Sequence, residues 1–196
     1  NKKIPFLFVG LLTPLIIVTW VQAGHWKNSI TLYEHSISVT KDRTPSFATI
    51  YNNLGNAMSN ENRHEEAIMS FQHAIKINPD ASYIYSNLGQ VFHGLKRFDE
   101  AIEHYQQAIR IDTNYVKAHN NLAVALTEQG NLKKALHSAR KCVSLDPGYI
   151  AGVVTLGDIL EQSGMLSEAQ FYYNRALVLD SNSADNHLYL ANVLYK

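Results

Sequence analysis

The sequence is sparing with reactive and directional features. One cysteine, Cys142, stands in 196 residues, so no disulfide framework can form within the chain, and a disulfide-free domain suits any compartment. Lysine plus arginine number 17 and aspartate plus glutamate 17, so no net charge draws the chain toward nucleic acid or an acidic membrane surface. There is no HExxH, no cysteine cluster and no histidine pair at i, i+4 among the nine histidines, which leaves no metal-ligating set. Walker A, G-x-G-x-x-G and G-x-S-x-G patterns are absent as well. No catalytic residue, metal ligand or cofactor is expected in this chain.

What is present is apolar and uneven. With 46% hydrophobic and 17% charged residues the composition is globular. From Ile4 to Val21 no residue is charged and only two threonines are polar. At about 1.5 Å per residue this run spans roughly 27 Å, close to a hydrocarbon core of about 30 Å. Lys2 and Lys3 precede it, and Trp20 and Trp26 sit at its far end, where indoles favour the interface. Residues 1–25 are therefore expected to form a transmembrane helix, the end of a larger membrane region, with the bilayer contacted through residues 4–21. A signal peptide, with "VQA" before Gly24 as its cleavage site, and a buried helix are the alternatives.

A strict period governs the rest. "YNNLG" at 51–55 returns as "YSNLG" at 85–89 and "HNNLA" at 119–123, placing Asn53, Asn87 and Asn121 34 residues apart. The beat defines units 48–81, 82–115, 116–149 and 150–183, with a truncated fifth at 184–196. In each unit a first helix carries apolar or small residues at unit positions 4, 7, 8 and 11, such as Tyr85, Leu88, Gly89 and Phe92. A second helix carries positions 20, 24 and 27: Ala67, Phe71, Ala74; Ala101, Tyr105, Ala108; Ala135, Ala139, Cys142; Ala169, Tyr173, Ala176. Small residues at 8, 20 and 27 allow close approach, and the aromatic at 24 is expected to fill the gap against the neighbouring unit. Pro79 and Pro147 mark unit ends, and Gly130 and Gly164 fall at turns between helices.

Thirty-four residues, helix-turn-helix, Leu-Gly followed by Ala, aromatic, Ala and Pro resemble the tetratricopeptide repeat (TPR) pattern over residues 48–196. The resemblance implies an all-α, right-handed TPR solenoid whose units share one core. A weaker echo precedes it, since Pro45 stands 34 before Pro79 and Ile37 34 before Phe71, although Tyr33 replaces the alanine. Residues 26–47 are expected to form an amphipathic linker helix, a degenerate repeat. "WKNSITLY" between a membrane helix and such an array is similar to bacterial GT-C-type glycosyltransferase membrane proteins and to transmembrane-and-TPR protein O-mannosyltransferases. Their glycosyl-transfer residues lie in earlier membrane segments, so none carries over to this chain.

The asparagines lie on a second stripe. Positions 2, 6, 9 and 13 follow i, i+4, i+7, i+11: Thr49, Asn53, Asn56, Asn60; Tyr83, Asn87, Gln90, Gly94; Lys117, Asn121, Val124, Glu128; Ala151, Thr155, Asp158, Gln162. The TPR resemblance implies that first helices line a concave groove, and position-6 asparagines resemble the ladder with which the O-linked N-acetylglucosamine transferase family holds extended peptide. An amide both donates and accepts, so one per unit can pair with successive peptide groups. The peptide-binding candidates are Asn53, Asn87 and Asn121 with Thr49, Asn56, Asn60, Tyr83, Gln90, Lys117 and Asp158. Asparagines that merely face water or a neighbouring helix are the competing reading, and Thr155 and Tyr189 end any ladder after three rungs.

The expected function is a membrane-tethered protein-protein interaction module that binds extended polypeptide and no nucleic acid. Two alternatives stand beside it: the acceptor-recruiting C-terminal domain of a polytopic GT-C-type glycosyltransferase, and a scaffold released by signal cleavage. Lys2 and Lys3 place the repeats on the non-cytoplasmic side, in periplasm or lumen. Reporters fused after Lys196 check this: an extracytoplasmic reporter is expected to be active and a cytoplasm-only reporter silent.

Overall fold

The computed structural model describes residues 28–39 and 45–194, and the run at 4–21 lies outside them, as do 26–27 and 40–44 of the expected linker. The described residues form ten α-helices and no strand. None is long and apolar enough to cross a membrane. The chain divides into two compact units, Asn1–Asn78 and Pro79–Lys196.

In the first unit α1 (Ser29–Val39) packs on α2 (Pro45–Asn60), which pairs with α3 (His64–Ile77). Helix α1 stands where the linker helix was expected and buries Ile30. Pro45 opens α2, consistent with its fixed φ and absent N–H. The second unit runs α4 (Ser82–Gly94), α5 (Phe98–Ile111), α6 (Val116–Glu128), α7 (Leu132–Leu145), α8 (Ile150–Gln162), α9 (Leu166–Leu179) and α10 (Ala184–Leu194). Each helix contacts the next, and α4 also meets α6 as α6 meets α8, so first helices lie side by side.

One contact sets the spacing inside a unit. Phe71, Tyr105 and Tyr173 at position 24 are all but fully buried. A Cβ added to Gly55 would lie 2.9 Å from the Phe71 ring, one on Gly89 2.7 Å from Tyr105, and one on Gly157 2.6 Å from Tyr173. The ring therefore rests on the position-8 glycine of its own repeat, and in the fourth repeat Tyr173 also fills toward the next one, stacking on Tyr189 with ring centroids 5.6 Å apart. The third repeat has Ala123 at position 8 and Ala139 at 24, both buried, exchanging one large and one absent side chain for two small ones.

The core is also wider than the expected positions 4, 7, 8 and 11. Positions 3 and 10 are buried in the second unit, as Ile84 and Val91, Ala118 and Ala125, Gly152 and Ile159. Turns within pairs share one device. Asn62, Lys96, Gly130 and Gly164 all sit at position 15 with φ of 61°, 59°, 85° and 76°. The following N–H reaches back to close the helix: Arg63 to Met58 O, Arg97 to Phe92 O, Asn131 to Leu126 O and Met165 to Leu160 O, all 2.8–2.9 Å. Turns between pairs use an aspartate instead, Asp112 and Asp146 Oδ1 accepting from the N–H of Asn114 and Gly148.

Gly89→Ala tests the ring contact. Alanine improves helix propensity by about 1 kcal/mol, but overpacking against a buried ring costs about 1–3 kcal/mol. The substitution is expected to lower the thermal midpoint, whereas Gly94→Ala, with nothing within 4 Å of its added Cβ, is expected to leave it unchanged or raised.

Candidate functional site

At about 100° per residue, positions 2, 6, 9 and 13 fall within an arc of about 60° on each first helix. In the second unit positions 3 and 10 bury one flank of that arc. Ser86 and Asn120 at position 5 bury the other flank on α4 and α6. Of the twelve stripe residues on α4, α6 and α8 none is buried: Gln90, Gly94, Lys117, Glu128, Ala151 and Gln162 are exposed, and the rest are half-buried. These helices adjoin, α4 with α6 and α6 with α8, and carry Tyr83, Asn87 and Gln90, then Lys117 and Asn121, then Asp158 on their stripes. Thr49, Asn53, Asn56 and Asn60 share a similar unburied arc on α2 of the first unit.

The amides differ in their surroundings. Asn53 Oδ1 accepts from Asn52 Nδ2 at 3.3 Å, and Asn52 itself is the buried member of the "NN" pair. Asn87 and Asn121 are half-buried. Asp158 is engaged more deeply. Tyr173 Oη lies 2.8 Å from Asp158 Oδ1 and 2.8 Å from Glu161 Oε2. A phenol has one hydrogen, so it donates to one carboxylate at a time. Burial pushes the Asp158 carboxyl above its ordinary range; the Tyr173 bond pulls it down and Glu161 pushes it up. The same enclosure drives the Tyr173 phenol upward, so it stays a donor. Sequence pattern placed Asp158 on the stripe but could not reveal a partner fifteen residues on.

Another side-chain contact ties neighbouring first helices together. His93 Nε2 of α4 lies 3.4 Å from Glu128 Oε2 of α6, an ion pair when the ring is protonated. His119 is buried and its Nε2 meets Thr113 O at 3.0 Å, as a core ring would. Cys142 is buried among close neighbours, and burial raises its thiol to about 11, so it is an inert core side chain. No cluster of three or more metal-ligating side chains occurs among the described residues.

Family models described as tetratricopeptide repeat match residues 46–114, 80–147 and 153–183. The chain belongs to the tetratricopeptide repeat family. Among solved TPR-like folds, MamA superposes with a TM-score of 0.69 at 23% identity, covering 84% of this chain and 94% of MamA. YrrB, described as a TPR protein with an unusual peptide-binding site, gives 0.66 at 22% identity over 83% of this chain and 82% of its own. At these identities the likeness shows the fold. A Caenorhabditis elegans protein O-mannosyl-transferase, F38B6.6, is 31% identical over 78 residues, which is 40% of this chain and 11% of that protein. The TPR chain thus matches about a tenth of that relative's length.

The Asp158 site carries a pH signature. A carboxyl whose pKa is raised by folding binds its proton more tightly in the native state, so stability rises as pH falls from the raised value toward the unfolded value. Asp158→Asn keeps an acceptor for Tyr173 and removes the charge. Its melting temperature is expected to exceed the parent's at neutral pH, and the difference to narrow as the pH approaches the ordinary carboxylate range.

Proposed function

We propose that this TPR protein is a peptide-binding module and that the open stripes of α4, α6 and α8 take an extended polypeptide segment. One observation carries the reading: on the adjoining helices α4, α6 and α8 the stripe stays unburied, with both its flanks buried on α4 and α6 and an amide at the same repeat position on those two. Asn87 and Asn121 each offer a donor and an acceptor to a peptide backbone, which needs no particular side chain in the ligand. Thr155 replaces the amide on α8, and Tyr83, Gln90, Lys117 and Asp158 add polar and charged contacts along the edges. Asn53, with Thr49, Asn56 and Asn60, presents the same chemistry on α2 of its own unit. The description of YrrB as a peptide binder supports this reading.

The reading keeps a layout for the chain: a membrane helix over residues 1–25, a linker over 26–47, repeats at 48–81, 82–115, 116–149 and 150–183, and part of a fifth at 184–196. The apolar run at 4–21 supports the tether, and the two lysines before it support repeats on the non-cytoplasmic side. A second reading makes the TPR region the acceptor-recruiting part of a larger glycosyltransferase. The 31% identity to a protein O-mannosyl-transferase favours it.

Extended peptides selected from a random library against the full chain provide the probe. Each amide can make two hydrogen bonds of about 1 kcal/mol net. Losing Asn87 or Asn121 to alanine is expected to weaken binding by on the order of 2 kcal/mol, about 30-fold. Thermal stability of both variants is expected to match the parent's. Unchanged affinity in a folded variant would sink the ladder, and an early melt would make the asparagines structural.

A further inference from the structure

One repeat breaks the charge pattern of the others. Positions 18, 19 and 22, in the first turns of the second helices, read Glu65, Glu66 and Met69, then Asp99, Glu100 and Glu103, and in the fourth repeat Ser167, Glu168 and Phe171. Acidic residues suit a helix N-terminus, where the macrodipole is positive. In α7 the same positions hold Lys133, Lys134 and His137, with no acidic residue in the first turn. Two cations oppose the dipole there, and among the described residues none of the three side chains has an ion pair. A local choice that weakens its own helix invites a functional account.

The surface beside them is a recess. Leu122 and Leu126 of α6, 7% and 4% exposed, lie at the bottom of a groove of about 490 Å³ with Gln106 of α5 and the α7 cations at its rim. The α7 helix contains no phenylalanine, tyrosine or tryptophan, unlike the second helices of the other three repeats. Leu122 and Leu126 point about 150° round α6 from the Asn121 stripe, so this groove opens on a different face.

We propose that the groove between α5, α6 and α7 is a second docking site, for an acidic peptide segment that sets an aliphatic side chain on Leu122 and Leu126 and carboxylates against Lys133, Lys134 and His137. The chain has no net charge, so attraction at this place is local. Exposed cations at a helix start attract anions and an apolar floor can take an aliphatic side chain; an acidic segment with a leucine supplies both. A concave recess of this size fits protruding side chains and not the flat face of a bilayer. The site goes beyond the stripe reading and does not depend on it.

The test uses fluorescence anisotropy at low salt with the full chain and a labelled short peptide alternating leucine with glutamate. Low salt matters because rim charges are screened over about 10 Å at 0.1 M. Binding is expected, with none to the same peptide carrying lysine for glutamate. K133E/K134E restores the charge pattern of the other repeats, so its melting temperature is expected to hold or rise while affinity falls at least about tenfold. K133Q/K134Q, which removes charge without reversing it, is expected to fall between the two. The proposal is overturned if the glutamate peptide does not bind, or if both lysine variants bind it as the parent does. It is equally overturned if phosphatidylglycerol vesicles bind and the peptide does not, or if Asn87→Ala and Asn121→Ala abolish the peptide signal, which would place the segment on the stripe.

Discussion

The distance between the two helices of a repeat is fixed by a ring resting on a glycine. Phe71 on Gly55, Tyr105 on Gly89 and Tyr173 on Gly157 leave no room for a methyl group, and the alanines at positions 20 and 27 keep the rest of the second helix equally close. Everything else follows from that approach. Helices this close expose little between them, so the remaining apolar surface faces sideways, toward the next pair. In the second unit that sideways demand is met by α6 against α4 and α8, and it is what buries positions 3 and 10.

Burial on both flanks leaves α4 and α6 one open arc each, and the polar stripe lies along it. The stripe is therefore a consequence of the packing, and its chemistry is free to vary without disturbing the core. The residues there vary accordingly, from amide to lysine to carboxylate. Where one of them is drawn into the core's business, as Asp158 is through Tyr173, the result is a coupling between the open face and helix pairing. At the other extreme α7 shows the cost of departing from helix electrostatics, with Lys133 and Lys134 where its counterparts α3 and α5 begin with acids.

Much of this was legible because the period is strict. A 34-residue beat with leucine and glycine at fixed places announces the helix pair, and the stripe positions follow from helical geometry once the apolar face is known. The linker helix was visible, since α1 spans 29–39 within the expected 26–47, but its buried residue is Ile30, and the Ile37 of the echo stays half-buried. What escaped the sequence was burial supplied by a neighbour. Ser86, Asn120, Ala118 and Gly152 carry no apolar signal of their own and are buried only because another helix lies on them. The turn at position 15 was readable at Gly130 and Gly164. It was hidden at Asn62 and Lys96, which adopt the same left-handed conformation without the residue that advertises it. The Tyr173 bridge was hidden for the simpler reason that it joins two helices. The charge inversion in α7 stood in the sequence throughout, but it becomes informative only beside the groove.

The glycine and its ring also constrain how such a repeat can change over generations. The third repeat carries alanine at both places, and the two solutions are not one step apart. Enlarging the glycine first drives a methyl into the ring, at about 1–3 kcal/mol. Losing the ring first leaves a hole, at about 3–5 kcal/mol for an aromatic replaced by alanine. Either intermediate removes a large part of the 5–15 kcal/mol that holds a typical domain together. The two positions are thus a single inherited character, and exchange of whole repeats is an easier route between its forms than point substitution.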